Sequence, residues 1–446
     1  MNILIIGAGE VGFQLTRRLS AEKHNITILE KDPDKARRAE EQLDAMVIQG
    51  SGSSFVDLKK ARIEQAEIFA ALSNNDEVNF LACLYAKKLG IPHKIARVRN
   101  PEFTESDFIL SREELGVDHL IHPEKETADA VIRLIRQSSA TDIVEFSSGK
   151  VQLMGIRLEQ NSPILHKQLK DIWLEYGNLA ARIVAINRKE RTIIPGGDDV
   201  LIPGDQIFVI CAKELIPQMV KITGKENVSI QNIMILGGGL IGLFVARELE
   251  NELNVKIIES RADRSEEIAD YLKKSLVIHG DGTDMDLLAL EGIIDMDSFI
   301  SVTGDDETNI ISTLMARHLQ VPRTIALVNK TEYLPITPTI GMDAVVSKKL
   351  LTVNAILRFI QKSTLERIVT IPGVDAEVIE IVPNRGSKIT KKTLKEIHFP
   401  RSAIVGAVQR EDSVIIPTGE TQILPGDRVV IFSLPIALSE VEKMFE

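Results

Sequence analysis

Short apolar runs rich in β-branched residues alternate along this chain with longer stretches whose apolar positions recur at helical spacing. In the first 122 residues the runs are NILIIG, NITILE, AMVIQG, IFAALS, KIARVR and HLIHP, and FQLTRRLSAE and DKARRAEEQL are two of the stretches between them. Such alternation predicts a parallel sheet with helices on both faces. TADAVIRLIRQSS follows, and its Val131, Ile132, Leu134 and Ile135 cover more than one helical face. A helix of that kind seeks burial, so these residues are expected in subunit or domain contacts. About 80 residues of shorter strands then carry PGD turns, in which Pro presets φ and Gly-Asp favours a tight reversal. These residues read as a small α+β module that either binds a further ligand or only packs, with packing as the default.

The pattern then starts again. Gly7 and Gly237, Gly50 and Gly280, and Asn79 and Asn309 each stand 230 positions apart, and the offset falls to 222 where IIPGGDDVLIPGDQIFVI faces IIPTGETQILPGDRVVIF. The second copy of the exposed-face-poor helix is TVNAILRFIQKST, with Ile356, Leu357, Phe359 and Ile360. Polar KITGKENVSIQN, without clear periodicity, reads as the linker between halves. The expected fold class is α/β: two Rossmann-like doubly wound parallel sheets, each followed by a small α+β module. The domains would span 1–122, 140–224, 231–350 and 366–446, in an ABAB order. A length of 446 residues agrees, since about 150 residues per domain gives roughly three or four.

Composition changes this picture little. Hydrophobic residues at 44% and charged residues at 26% are ordinary for a globular chain. The opening MNILIIGAGE has no basic segment and reads as strand and turn, not as a signal peptide, so an intracellular protein is expected. No apolar run approaches the roughly 20 residues of a membrane-crossing helix, so direct membrane insertion is not expected. A net charge of −11 opposes attachment to nucleic acid or anionic lipid. Cys83 and Cys211 lie in apolar runs and read as small core residues.

The candidate chemistry sits at the strand ends. Gly7, Gly9 and Gly12 follow NILII and open a helix, with Ala8, Glu10 and Val11 between and beside them; Gly237, Gly238, Gly239, Leu240, Ile241 and Gly242 repeat the turn after NIMIL. A G-x-G-x-x-G triplet alone is a weak signal, but a preceding strand and a following helix make it a seat for a pyrophosphate at the helix N-terminus. Glu30 and Glu259 end the next strands, about 20 residues on, where a carboxylate accepts from ribose hydroxyls. Arg261 stands where a 2′-phosphate would be read, yet Glu259 would repel one, so unphosphorylated ribose is expected.

QGSGSS and HGDGTD follow the third strands, and either flank a base through Ser51 and Asp281 or serve only as turns. Ser73, Asn74, Thr303 and Gly304 follow the fourth strands beside the switch point and are placed for phosphates or a second ribose. Asp76 and Glu77 read as helix caps. At the fifth strand the halves part: Arg97 and Arg99 face Leu327 and Asn329. Arginine forks hold phosphates, so the first site would take a more highly charged nucleotide such as a triphosphate, unless these arginines make structural salt bridges.

The paired GAGEVG-type turns, Glu30, LSNNDEVN, IARVRNPE and the PGD module together resemble the TrkA family, in which RCK (KTN) nucleotide-binding domains alternate with TrkA-C domains. The resemblance runs end to end. It implies a cytoplasmic regulatory subunit, homotetrameric, peripheral on the inner face of the membrane through a potassium-translocating partner of the TrkH/TrkG type, and responsive to NAD(H) and to ATP or ADP. The implied contacts fall on Gly7 to Val11, Glu30, Ser73, Asn74, Arg97, Gly237 to Ile241 and Glu259. Ser260 before Arg261, and Ser51 in place of an acid, depart from the family pattern.

The alternative is an NAD-dependent dehydrogenase, which needs an acid or base held at the nicotinamide. The eight histidines supply no H-E-x-x-H and no His/Cys cluster, and His122 reads as a surface residue. A redox-sensing DNA-binding protein would need a basic reading helix, and none is present. Two nucleotide sites per chain suit a sensor better than one catalytic centre.

Overall fold

The computed structural model describes every residue except 22–23, 105–107, 177–179, 190, 226–229, 338–339, 362–365 and 372–373. Residues 226–229, the middle of the expected linker, therefore lie outside the described residues.

Each half opens with a six-stranded parallel sheet. In the first, the strand Asn2–Ile6 lies between Asn25–Glu30 and Ile68–Ala71, with Met46–Gln49 outside one neighbour and His93–Arg97 then His119–Ile121 beyond the other. The second sheet repeats this order around Asn232–Leu236. Side chains alternate across a strand, so Ile3 and Ile5 enter one core and Leu4 and Ile6 another. Burial on both faces is why these strands read as unbroken apolar runs. Register sets the ligand edge: Ile6 pairs with Leu29 and with Ala71, which brings Gly7, Glu30 and Ser73 to one end of the sheet.

The compact units do not follow the halves of the repeat. One unit is Met1–Thr127 with the helix Lys348–Gln361; the other holds the remainder of the helix Pro123–Arg136, the first small module, the second parallel sheet and the last small module. Within the first unit, Val353, Ile356, Leu357 and Ile360 share a core with Ile3, Ile5, Leu15 and Leu19. Phe359 stacks on His119 with ring centroids 5.0 Å apart. Lys349 lies 3.1 Å from Glu10, Arg358 2.8 Å from Glu126 and Lys348 3.4 Å from Glu124. The apolar surface of this second-half helix is thus covered by the first-half sheet. In the other unit Arg136 pairs with Glu252 at 2.8 Å, and Val131, Ile132, Leu134 and Ile135 are all buried.

The small modules are five-stranded antiparallel sheets with the same strand order. They share a core in which Phe208 meets Phe432 with centroids 6.0 Å apart, alongside Phe146, Ile210, Val378 and Val430. The PGD turn does more than reverse the chain. Gly204 and Gly426 take φ of 86° and 95°, and the buried Asp205 and Asp427 accept two hydrogen bonds each from Arg188 (2.7 and 2.7 Å) and Arg410 (2.9 and 2.8 Å). Cys83 and Cys211 are core residues, and burial pushes both thiols up to about 12.

Candidate nucleotide sites

The three glycines of each turn are required for three different reasons. Gly7 and Gly237 take φ of +100° and +109°, which only glycine adopts readily. A Cβ at Gly12 would stand 2.0 Å from the Gly7 carbonyl oxygen, and one at Gly242 equally close to that of Gly237, so the helix packs directly on the turn. At Gly9 and Gly239 a Cβ would meet nothing within 4 Å. The space over the middle glycine is open. It faces the first helical turn, Glu10 and Val11 in one half and Leu240 and Ile241 in the other, whose amides have no intrahelical acceptor and favour an anion.

The acids are fixed to the turns. Glu30 accepts from the Ala8 amide through Oε2 and from the Asp32 amide through Oε1 (2.8 Å). Glu259 accepts from Gly238 (2.9 Å) and Arg261 (2.9 Å), with Ser260 Oγ at 3.4 Å. Both carboxylates are buried, at 8% and 9% exposure, and both oxygens of Glu30 and Oε2 of Glu259 keep a second lone pair for a ribose hydroxyl. A cleft of about 360 Å³ opens over the first turn, lined among others by Gly7, Gly9, Glu30, Ser51, Ser73 and Asn74.

The other expected residues fall into place unevenly. Ser51 Oγ lies 2.8 Å from Ser53 Oγ. Asp281 accepts from the Thr283 amide (2.9 Å) and hydroxyl (2.8 Å), bonds that hold its carboxyl below the usual range, led by the amide. Thr303 repeats the setting of Ser73, and above Gly304 a Cβ would again meet open space. Arg97 donates to Asn74 Oδ1 at 2.7 Å, while its Nε is buried with no hydrogen-bond partner. Burial holds the Arg97 guanidinium below its ordinary value, with Glu124 opposing. Arg99 is exposed and its Nε lies 3.6 Å from Glu124. Of the two arginines, Arg97 is the one tied to a residue that lines the cleft.

Two expectations need correction. Asp76 is not a cap: Asn75 and Asp305 occupy that position, accepting from Val78 and Thr308, each at 2.7 Å. Asp76 instead receives the amides of Arg99 and Asn100, and Asp306 those of Asn329 and Lys330, so each fastens the loop after the fifth strand. His122 is buried, not on the surface, with Nδ1 3.5 Å from Glu124. Burial holds its pKa below the ordinary histidine value.

Sequence reasoning also missed two features. Asn79 and Asn309, fully buried, receive the amides of Ser73 (3.0 Å) and Thr303 (2.9 Å) and donate to the carbonyls of Arg97 (2.8 Å) and Leu327 (3.0 Å). They pin the fourth-strand loop to the fifth strand. Arg264 donates from Nε to the Gly238 carbonyl at 3.0 Å, and Lys35, its counterpart in the repeat, lines the first cleft. The signal was a basic residue five positions after each acid. Among the described residues no cluster of His, Cys, Asp and Glu could hold a metal ion, and no helix is long and apolar enough to cross a membrane.

Fold and site together define a protein with two Rossmann-type ligand domains, each coupled to a small antiparallel module. Residues 3–123 and 233–348 match the TrkA-N domain model, and residues 153–224 and 378–446 match the TrkA-C domain model. The chain is 36% identical to Trk system potassium uptake protein TrkA homolog 2 of Methanosarcina mazei, with all of both chains covered. It is 32% identical to Trk system potassium uptake protein TrkA of Azorhizobium caulinodans, covering 100% of this chain and 98% of that one. The solved structure of the GsuK channel bound to NAD shares the fold, at a TM-score of 0.62 and 21% identity over 100% of this chain and 78% of the other. The chain belongs to the TrkA family.

Proposed function

We propose that this chain is the nucleotide-responsive regulatory subunit of a potassium uptake system. It works at the cytoplasmic face as a homotetramer beneath a potassium-translocating membrane subunit, and binds NAD(H) and ATP or ADP without turning them over. Its four domains span 1–122, 140–224, 231–350 and 366–446. The observation that carries this reading is the doubled turn: open space over Gly9 and over Gly239, each beside a carboxylate already anchored to the turn. The names of the relatives supply the transport system, and the NAD-bound neighbour supports the ligand class.

Ligands at such sites act through differences in affinity between two arrangements. Moving an equilibrium from 1:99 to 99:1 takes about 5.5 kcal/mol, which eight sites in a tetramer supply at under about 1 kcal/mol each. Ser73, Asn74, Thr303 and Gly304 take the phosphate or second-ribose side, Ser51 and Asp281 the base side. Arg97, with its buried free Nε, favours the triphosphate at the first site. Arg99 serves beside it through Glu124.

The test is potassium flux through the reconstituted membrane partner with and without each nucleotide, beside calorimetry on Arg97→Leu. Flux should depend on nucleotide, and the variant should lose at least tenfold in ATP affinity while NADH affinity holds. Unchanged ATP affinity would remove Arg97 from the site. Steady NADH oxidation dependent on one carbonyl substrate would favour the dehydrogenase instead.

A further inference from the structure

The first small module contains a cavity of about 330 Å³, at the small end of ordinary ligand pockets. The helix Leu169–Glu175 walls the cavity with Leu169, Ile172 and Trp173, the sheet beneath it with Ile183 and the helix Ile216–Ile222 with Met219, and Ile404 of the last module closes one side. Its lining is mostly apolar. Of its two charged lining residues, Lys170 and Arg182, Arg182 is partly buried in the wall and donates to the carbonyls of Val405 (3.4 Å) and Pro417. Those bonds use two of five guanidinium N–H groups. Among the described residues no carboxylate pairs with Arg182, and burial alone holds its guanidinium below the ordinary value, with no charged neighbour opposing.

A cation placed in an apolar wall without a counter-ion is costly unless an anion joins it. The repeat sharpens the point. Arg182 corresponds to Ile404 in the last module, where the segment from Leu394 to Ala403 is three residues shorter than that from Leu169 to Ala181 and Phe399 packs on the module's own core. The longer segment and the arginine occur together in the first module. Lys170, which also lines the cavity, is already paired with Asp198 at 2.8 Å, so Arg182 is the cation of the lining left without an anion.

We propose that this cavity binds a small amphipathic monocarboxylate, its apolar body against Ile172, Trp173 and Met219 and its carboxylate on Arg182. Because Arg182 also holds Val405 and Pro417, such a ligand touches the seam between the two small modules.

Trp173 is the chain's single tryptophan and reports on the cavity directly. The experiment titrates the full-length protein with octanoate, 1-octanol and octylammonium below their aggregation concentrations, following tryptophan fluorescence. Octanoate should give a saturable change at least tenfold tighter than 1-octanol, and octylammonium none. Arg182→Met should bring octanoate and 1-octanol together, and Arg182→Lys should keep part of the preference. Equal binding of acid and alcohol by the native chain, saturable binding of octylammonium, or no saturable change with octanoate overturns the proposal. If Arg182→Met fails to fold, the native comparison of acid with alcohol still decides.

Discussion

Replacing Ile356 and Ile360 by Ala should loosen the first parallel sheet, more than 230 residues away in sequence, and spare the second. Both side chains belong to the helix that follows the second sheet, yet they are 0% and 2% exposed and lie in the core built on Ile3, Ile5, Leu15 and Leu19. An Ile→Ala change at a buried site costs about 2–5 kcal/mol. The two sites share one patch and need not add fully, so about 4 kcal/mol is a conservative total. That is a large part of the 5–15 kcal/mol that typically holds a domain folded, and equals roughly a 10³-fold rise in the open population. Hydrogen exchange read by mass spectrometry tests it peptide by peptide. Amides of Asn2–Ile6 and Asn25–Glu30 should exchange about 10³-fold faster by this arithmetic, those of Asn232–Leu236 near their native rate. Acceleration confined to residues 233–347, the sheet contiguous with the helix in sequence, would refute the packing argument.

The second and third glycines of the first turn should separate binding from stability. Gly9→Ala should leave the melting temperature within about 2 °C and weaken nucleotide binding at least tenfold, whereas Gly12→Ala, with its Cβ 2.0 Å from a carbonyl, should lower the melting temperature itself. Calorimetry and thermal melts on both variants check this. Burial pushes Asp142 up to about 6 from 3.8, with Thr141, Arg323, Arg157 and Gln206 opposing. The folded state therefore binds the extra proton between those values, so this carboxyl's contribution to stability rises as pH falls from about 6 to about 4, by about 3 kcal/mol in all. Denaturation across that range should show the slope in the native chain and lose it in Asp142→Asn.

Much of this architecture was legible because its cause is local. Strands buried on both faces must read as apolar runs, and a turn that seats a pyrophosphate must carry glycine at fixed spacing, so sheets, repeat and turns followed from residue order. The acids at 30 and 259 were found for the same reason. What escaped depends on where distant groups meet. In NNDE three successive positions offer a capping side chain, and only the register of the loop gives that role to Asn75 and sends Asp76 to the loop after the fifth strand. Periodicity marked the helix Lys348–Gln361 as apolar on several sides but carried no information about which sheet receives it. Asn79, Arg188 and Arg264 act through hydrogen bonds to groups on other elements, which leave no mark on composition or period.

The destination of the helix Lys348–Gln361 bears on how such a chain arose. Cut at its obvious midpoint, the gene would yield a first fragment whose sheet exposes the patch that Ile356 and Ile360 cover, and a second fragment carrying that helix with no sheet beneath it. Neither product is a self-contained domain. With the helix placed as it is here, a half-length chain would take that cover from a second copy, a need that two copies joined in tandem meet within one chain. The later drift of one half from the other, Arg97 against Leu327 and Arg182 against Ile404, is the freedom that the join conferred.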